Sequence, residues 1–383
     1  MAKALLQLNA LEDTKYNWWD RLLIWRDRII ATRNFQRLAA SLPIINKVSL
    51  HRAHAVFDLM AGFVYTQILL ACVRVDLFDK LADGPKTLAE LQLIIDLPKK
   101  GLERLILGAV SLNLLECRAH DRFGLGSLGS PLVGNKALCA MIEHHSSLYQ
   151  DLQDPLTLLR GGMKASLESY WPYITEKNDE LKELDRVERV ADYSQLMSAS
   201  LPLVADEVMQ AYDFSGHTCL LDIGGGQGTF IQLLMQQASH LQFQLFDLPG
   251  VVELAKSNLR QQQQLSFFGG NFFEDQLPTG ADIVTLIRVI FDHDDQRVLQ
   301  LLKGIHQTLP VGGKLLIAEP MADTPEIPAM GQAYFGFYLL AMGRGRPRSA
   351  QEISDLLYQA GFAACRKLKN KMVVNAQIIL AEA

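Results

Sequence analysis

Apolar positions recur at helical spacing through the first half of the chain and change to a strand–helix alternation after about residue 215. In the first half, Leu102, Leu105, Ile106, Ala109, Val110 and Leu112 follow the i, i+3, i+4, i+7 rule of a half-buried helix. Residues 72–132 then predict a helix over Val73–Leu81, a turn at Gly84-Pro85, a short helix Leu88–Ile95, a helix Lys99–Leu115 and a Gly-rich hairpin over Arg118–Leu132. That order suggests a winged helix-turn-helix. In the second half, apolar runs at 218–223, 241–246, 265–268, 281–290, 314–318 and 373–380 alternate with amphipathic stretches at 229–238, 250–263, 296–309 and 350–360. The alternation predicts an α/β class with a mostly parallel sheet covered on both faces.

Composition narrows the function classes. At about 150 residues per domain, 383 residues give two domains or three. Apolar residues at 49% and charged residues at 21% exclude a mainly disordered chain. A net charge of −5 argues against nucleic acid as a partner, and the third helix offers only Lys99, Lys100 and Arg104 against Glu103 and Glu116. Five cysteines without a C-x-x-C pair predict neither a metal site nor a disulfide framework. The longest uncharged apolar stretch, Leu59 to Val73, has 15 residues, short of the roughly 20 that span a bilayer. The start, Met1 to Gln7, has no signal-peptide core, so a cytoplasmic protein is expected.

The charge is uneven. Residues 1–60 hold nine Lys/Arg against five acids, and three of the four tryptophans. As a helix, Trp18, Leu22, Trp25 and Ile29 share one face beside Arg21, Arg26, Arg28, Arg33 and Arg37. Such a face either buries into a dimer partner or lies in an anionic membrane interface, which makes residues 17–37 a candidate peripheral membrane contact.

The candidate chemistry begins at Leu220-Leu221-Asp222-Ile223-Gly224-Gly225-Gly226-Gln227-Gly228, after an apolar strand and before a helix. Glycines there let the turn tighten and let backbone N–H groups approach a ligand. A dinucleotide fingerprint needs Gly at the sixth position from Gly224, where Thr229 stands. The spacing is Asp-x-Gly-x-Gly-x-Gly, typical of S-adenosylmethionine methyltransferases. The next strand ends in Asp247, 21 residues after Gly226, where a carboxylate can accept both ribose hydroxyls. At the third strand end, Asn271 can hydrogen-bond a purine edge and Phe272 can pack on its face. Three successive strand ends therefore point to S-adenosylmethionine.

With Phe246-Asp247-Leu248-Pro249-Gly250-Val251-Val252, Gly270-Asn271-Phe272-Phe273, the 288–295 segment and Leu316-Ile317-Ala318-Glu319-Pro320, the chain resembles the O-methyltransferase family of plant phenolic enzymes and their bacterial relatives. Trp18-Trp19-Asp20-Arg21-Leu22, Glu143 to Tyr149, Tyr170-Trp171-Pro172-Tyr173, Tyr334 to Tyr338 and Gly345-Arg346-Pro347-Arg348 resemble the bacterial carotenoid O-methyltransferases more narrowly. The resemblance implies a homodimer and three regions: a basic helical extension (1–55), a winged-helix-containing dimerisation and substrate region (56–214) and a Rossmann-like methyltransferase domain (215–383). It implies Asp222, Gly224, Gly226, Asp247, Asn271, Phe272 and Arg288 as cofactor-binding residues, with Asn271 replacing an acid of the family. The substrate it implies is the tertiary 1-hydroxyl of hydroxyneurosporene or demethylspheroidene, on the way to spheroidene and spirilloxanthin. Another bacterial pigment, an aromatic polyketide, or S-adenosylmethionine binding without methyl transfer are the alternatives.

One departure bears on the mechanism. The family's catalytic histidine falls at Phe291, and His293 stands two residues on. Glu319 matches the acid that orients that histidine. A tertiary alcohol is too weak an acid to ionise beforehand, so a base must take its proton as the new bond forms. The candidates are His293, the neighbours His144 and His145, and Glu319 acting directly or through a histidine. Met330, Tyr334, Phe337, Tyr338, Ala341 and Met342 recur near helical spacing and predict an apolar wall for a polyene, or ordinary core.

Overall fold

A computed structural model describes residues 17–41, 43–162, 167, 200–259, 263–324, 327 and 329–383. The Tyr170-Trp171-Pro172-Tyr173 motif lies outside them. The described chain divides into two compact units, one of residues 1–75 with 84–127, the other of residues 76–83 with 128–383.

In the first unit, the helix Trp18–Ile30 is capped by Asn17, whose side chain accepts from the Asp20 amide. None of its residues is buried, and Trp18 is 65% exposed. Helices Arg33–Ser41 and Pro43–Arg74 follow. Among the described residues, Lys47–Arg74 is the one helix long and apolar enough to cross a membrane by length and composition. The uncharged run within it, Leu59 to Val73, is shorter because Asp58 interrupts the apolar sequence. Leu59, Met60, Phe63 and Val64 of this helix are exposed within the single chain.

Of the order expected over 72–132, the two helices and a following hairpin are present with shifted bounds. Thr87 and Glu90 form a capping box that starts Leu88–Ile94, and Glu90 also pairs with Arg122. Leu102, Ile106 and Ala109 of Lys99–Ser111 are buried. Strand β1 (Lys86–Thr87) pairs with β3 (Arg122–Leu125), which pairs with β2 (Leu115–Arg118), all antiparallel. The hairpin begins at 115, not 118, because Asn113 takes a left-handed conformation and ends the helix early. The expected helix Val73–Leu81 is likewise broken, at left-handed Asp76.

The second unit is built on seven strands: β4 (Cys219–Ile223), β5 (Gln242–Asp247), β6 (Leu265–Gly269), β7 (Ile283–Ile287), β8 (Lys314–Glu319), β9 (Ala364–Leu368) and β10 (Gln377–Glu382). Their order is β6-β5-β4-β7-β8-β10-β9, parallel except for β10, which runs antiparallel to β8 and β9. Side chains alternate faces along each strand. Leu220, Phe243, Ile283 and Leu316 join the core on one side with Phe230 and Val252. Leu221, Val284, Leu286 and Leu315 join the other with Leu301 and Leu357. Edge strand β9 escaped the reading of apolar runs because Arg366 and Lys367 sit in it, as charge commonly protects an edge. Strand β7 stops at Ile287 instead of running to 290, since Arg288 turns left-handed with φ 58°. Chain order reverses between β4 and β7, so a crevice opens at the carboxyl ends of these strands.

Candidate active site

The Gly-rich turn occupies one wall of that crevice. Gly224, Gly226 and Gly228 all have positive φ, which only glycine adopts at low cost. A Cβ on Gly224 would come within 2.8 Å of Val289, so the turn lies directly against the segment that follows β7. A Cβ on Gly226 would meet nothing within 4 Å; this backbone faces open space. Its amide donates to Asp247 Oδ2 at 2.8 Å, and the Leu248 amide donates to Oδ1 at 2.7 Å. Burial pushes the Asp247 carboxyl up to about 6, against the pull of those two amides. Asp222 is deeper, accepting from the Thr285 hydroxyl at 2.7 Å, with its carboxyl raised by burial to about 7. It braces the turn from below.

At the end of β6, Asn271 Oδ1 accepts from the Phe273 amide, and the Asn271 amide donates to Asp275. Phe272 stacks edge-on with Phe273 and with His293. The open face of Gly226, the carboxylate of Asp247 and the Asn271–Phe272 corner thus lie at successive strand ends, as a bound nucleoside requires.

Beyond Val289 is a cleft of about 760 Å³, part of it open to solvent. Met141, Leu203, Val204, Phe291, Pro320 and Phe335 make its apolar wall. Arg288, Ser200, Asn375, His144, His145, Tyr334 and Tyr338 supply polar groups. His145 Nε2 lies 2.6 Å from Tyr334 Oη, and His144 Nε2 lies 3.0 Å from Tyr338 Oη. The histidines come from helix Lys136–Asp151, and the tyrosines from Met330–Phe335 and Gly336–Ala341. Burial lowers both imidazoles, His144 to about 4 with help from its neighbour, so both are neutral near pH 7. Burial also raises both phenols, Tyr334 to about 12.

Other candidates are placed elsewhere. His293 packs against the Phe272 and Phe273 rings, not in the lining of the cleft, and burial with Arg297 nearby lowers it to about 4. Its backbone turns it toward β6 because it follows the 3-10 turn Ile290–Asp292. Glu319 is also outside the lining. Its Oε1 accepts from the Val289 and Ile290 amides at 2.8 and 2.7 Å, while buried Oε2 has no hydrogen-bond partner among the described residues. Burial pushes Glu319 up to about 8. Asp292 beside it is raised well above the usual carboxylate range by burial and then by Glu319. Arg288, expected at the cofactor, lines the cleft and donates to Ser200 Oγ at 2.7 Å. Phe337 is 36% exposed: π winding over Met330–Phe335 shifts the register, and Phe335 turns inward in its place.

Sequence reasoning passed over Arg348 except as part of a motif. It is buried, bonds the Ile290 and His293 carbonyls at 2.7 and 2.6 Å, and pairs with Asp295. Glu319 and Arg348 together clamp the segment that carries Phe291. The separation of Arg348 from residue 290 by 58 positions hid this role.

Residues 178–363 match the O-methyltransferase domain family, and residues 57–141 match the O-methyltransferase dimerisation domain. Demethylspheroidene O-methyltransferase of Cereibacter sphaeroides is 35% identical over 339 residues, 88% of each chain. The protein of the same name from Rhodobacter capsulatus is 35% identical over 355 residues, 93% of this chain and 88% of the relative. This chain belongs to the S-adenosylmethionine-dependent O-methyltransferases. The solved structure of human N-acetylserotonin methyltransferase in complex with S-adenosylmethionine superposes with a TM-score of 0.69 at 26% identity, covering 86% of this chain and 97% of that one. The cofactor of this O-methyltransferase is S-adenosylmethionine, and its dimerisation domain supports a homodimer.

Proposed function

We propose that this O-methyltransferase methylates the tertiary 1-hydroxyl of an acyclic carotenoid of the hydroxyneurosporene or demethylspheroidene type. The observation that carries this reading is the 35% identity, over most of both chains, to two proteins whose names state demethylspheroidene methylation. The apolar cleft wall suits the end of a polyene. In this reading residues 1–55 serve as the basic extension, 56–214 shape dimer and substrate region, and 215–383 carry the transfer.

S-adenosylmethionine, when bound, supplies an electrophilic methyl group. Gly224 and Gly226 would let it approach the backbone, Asp247 would accept from the ribose hydroxyls, and Asn271 and Phe272 would hold the adenine. Asp222 supports the turn from below. Arg288, Phe291 and Phe335 line the cleft, and Val289 between the first two packs on the turn at Gly224, so in this reading the acceptor oxygen is aimed at the turn and water is displaced by apolar side chains. Phe291 cannot take a proton; a neutral histidine of the 144–145 pair takes it as the bond forms. His293 and Glu319 then serve the geometry of the 288–293 segment.

A carotenoid resides in a bilayer, and the exposed Trp18, Trp19 and Trp25 beside Arg21 and Arg28 suit docking of helix Trp18–Ile30 on anionic lipid. The deciding experiment incubates the protein with labelled S-adenosylmethionine and 1-hydroxylated carotenoid and locates the new methoxy group by mass spectrometry. Label in an aromatic acceptor but not in carotenoid would assign another pigment, and cofactor binding without any transfer would remove the enzymatic reading of the substrate.

A further inference from the structure

The two imidazoles of the cleft are not equivalent. Both partner phenols line the cleft, but Tyr338 is buried, whereas Tyr334 is only half-buried. The Tyr334–His145 contact is also the shorter, 2.6 Å against 3.0 Å. Because His145 Nε2 is already engaged by Tyr334 Oη, an alcohol in the cleft reaches that nitrogen only through the phenol or by displacing it. Tyr334 stacks edge-on against Phe335 at 4.9 Å, and Phe335 against Phe291 at 6.3 Å. The phenol therefore stands across an aromatic row from the position where the family places its base. The backbone is shaped for this placement. Met330–Phe335 is wound as a π-helix, a form concentrated at functional sites. It packs so closely that a Cβ on Gly331 would come within 2.5 Å of Ala322.

We propose that Tyr334 is a catalytic residue that contacts the acceptor hydroxyl and relays its proton to His145. This inference rests on the proposed alcohol acceptor. A phenol suits the task because it accepts one proton through oxygen while giving up its own. His145 then begins as the tautomer with Nε2 unprotonated. As the C–O bond forms and the C–S bond breaks, the alcohol proton moves to Tyr334 Oη and the phenol proton moves to His145 Nε2. The products are the methyl ether, a neutral thioether and an imidazolium. The positive charge has passed from sulfur to His145, which returns its proton to water when the cleft opens.

The test uses the full-length protein and compares Tyr334→Phe, His145→Ala and the double variant with wild type. Circular dichroism and calorimetric S-adenosylmethionine affinity verify that each variant is folded. The expected result is a fall in kcat of about a hundredfold for each single variant, with cofactor affinity within about twofold. The double variant falls no further than the worse single, since both act in one relay. Tyr334→Phe retaining kcat within about threefold, with His145→Ala impaired, would mean that His145 acts directly and the relay is wrong. Additive losses would overturn it as well. The ratio of variant to wild type is taken on whichever alcohol the wild type methylates. A wild type inert toward carotenoid therefore refutes the substrate reading, while the ratio alone judges the relay.

Discussion

Asp247 illustrates how much one residue can be read from either side. Its position after a strand and 21 residues beyond Gly226 suggested a ribose acceptor, and its carboxylate is found bonded to the Gly226 amide. Asp247→Ala should weaken S-adenosylmethionine binding by roughly 2 kcal/mol or more, because the ribose hydroxyls and two backbone amides lose a charged acceptor. Isothermal titration checks this, and unchanged affinity would take Asp247 out of the site. The histidines make a second prediction. Burial holds both imidazoles below their ordinary value, His144 down to about 4, so both are unprotonated at neutral pH. The acid limb of kcat should accordingly lie below pH 6.5; a limb above pH 7 would exclude a base from this pair. His144 and His145 could be noticed in the sequence, but their partners Tyr338 and Tyr334 are 194 and 189 positions away. No local spacing announces such pairs.

At the scale of elements, the 288–293 segment is held by its neighbours. Left-handed Arg288 ends β7, Glu319 at the end of β8 accepts two amides, and Arg348 bonds two carbonyls. Glu319 and Asp292 both hold protons more tightly folded than unfolded, because burial penalises their charge. A carboxyl raised to about 8 contributes stability that is full below the unfolded value and is lost as pH rises through about 8. Below pH 6.5 the three histidines lowered by burial oppose this trend, so the folded protein should lose urea resistance between pH 6.5 and pH 8. Glu319→Gln keeps an oxygen for the Val289 and Ile290 amides and removes one titration, so the loss should become shallower. An unaltered pH slope in the variant would contradict the assignment. Strand and helix positions were readable here, since apolar alternation marks buried strands whatever they pack against. The early end of β7 was not readable: Arg288 in a left-handed conformation is imposed by packing, not by residue type.

At the scale of the molecule, one chain leaves a large apolar area open. Trp18, Trp19, Leu22 and Trp25 are exposed, as are Phe57, Leu59, Met60 and Phe63. The dimerisation-domain match from residue 57 gives the second group a partner, and sedimentation at micromolar concentration should show a dimer. The first group lies outside that match. Each arginine near anionic lipid adds about 1 kcal/mol, and the attraction is screened by salt. Vesicles with anionic lipid should therefore pull down the wild type at low salt and release it at high salt. Trp18→Ser with Trp25→Ser should reduce binding while the dimer persists. Equal partitioning of the two proteins, or no binding at low salt, would leave the tryptophans to the dimer partner.

The sequence by itself determined the α/β class, the glycine turn after β4 and the acid at the end of β5, because these depend on contiguous residues whose backbone needs are local. Asp222, Gly224, Gly226 and Asp247 sit within one strand–turn–helix–strand unit, and their geometry follows from its connectivity. Tertiary structure alone decided which histidines share the cleft with the residue at the family's base position. Phe291 meets His144, His145 and Tyr334 there only because a helix near residue 145, a turn near 290 and a π-helix near 334 converge. His293, two residues from Phe291, is turned away to the aromatic pair at the end of β6. Adjacency in the chain constrains backbone direction over a few residues, whereas a catalytic cleft is assembled by packing across it.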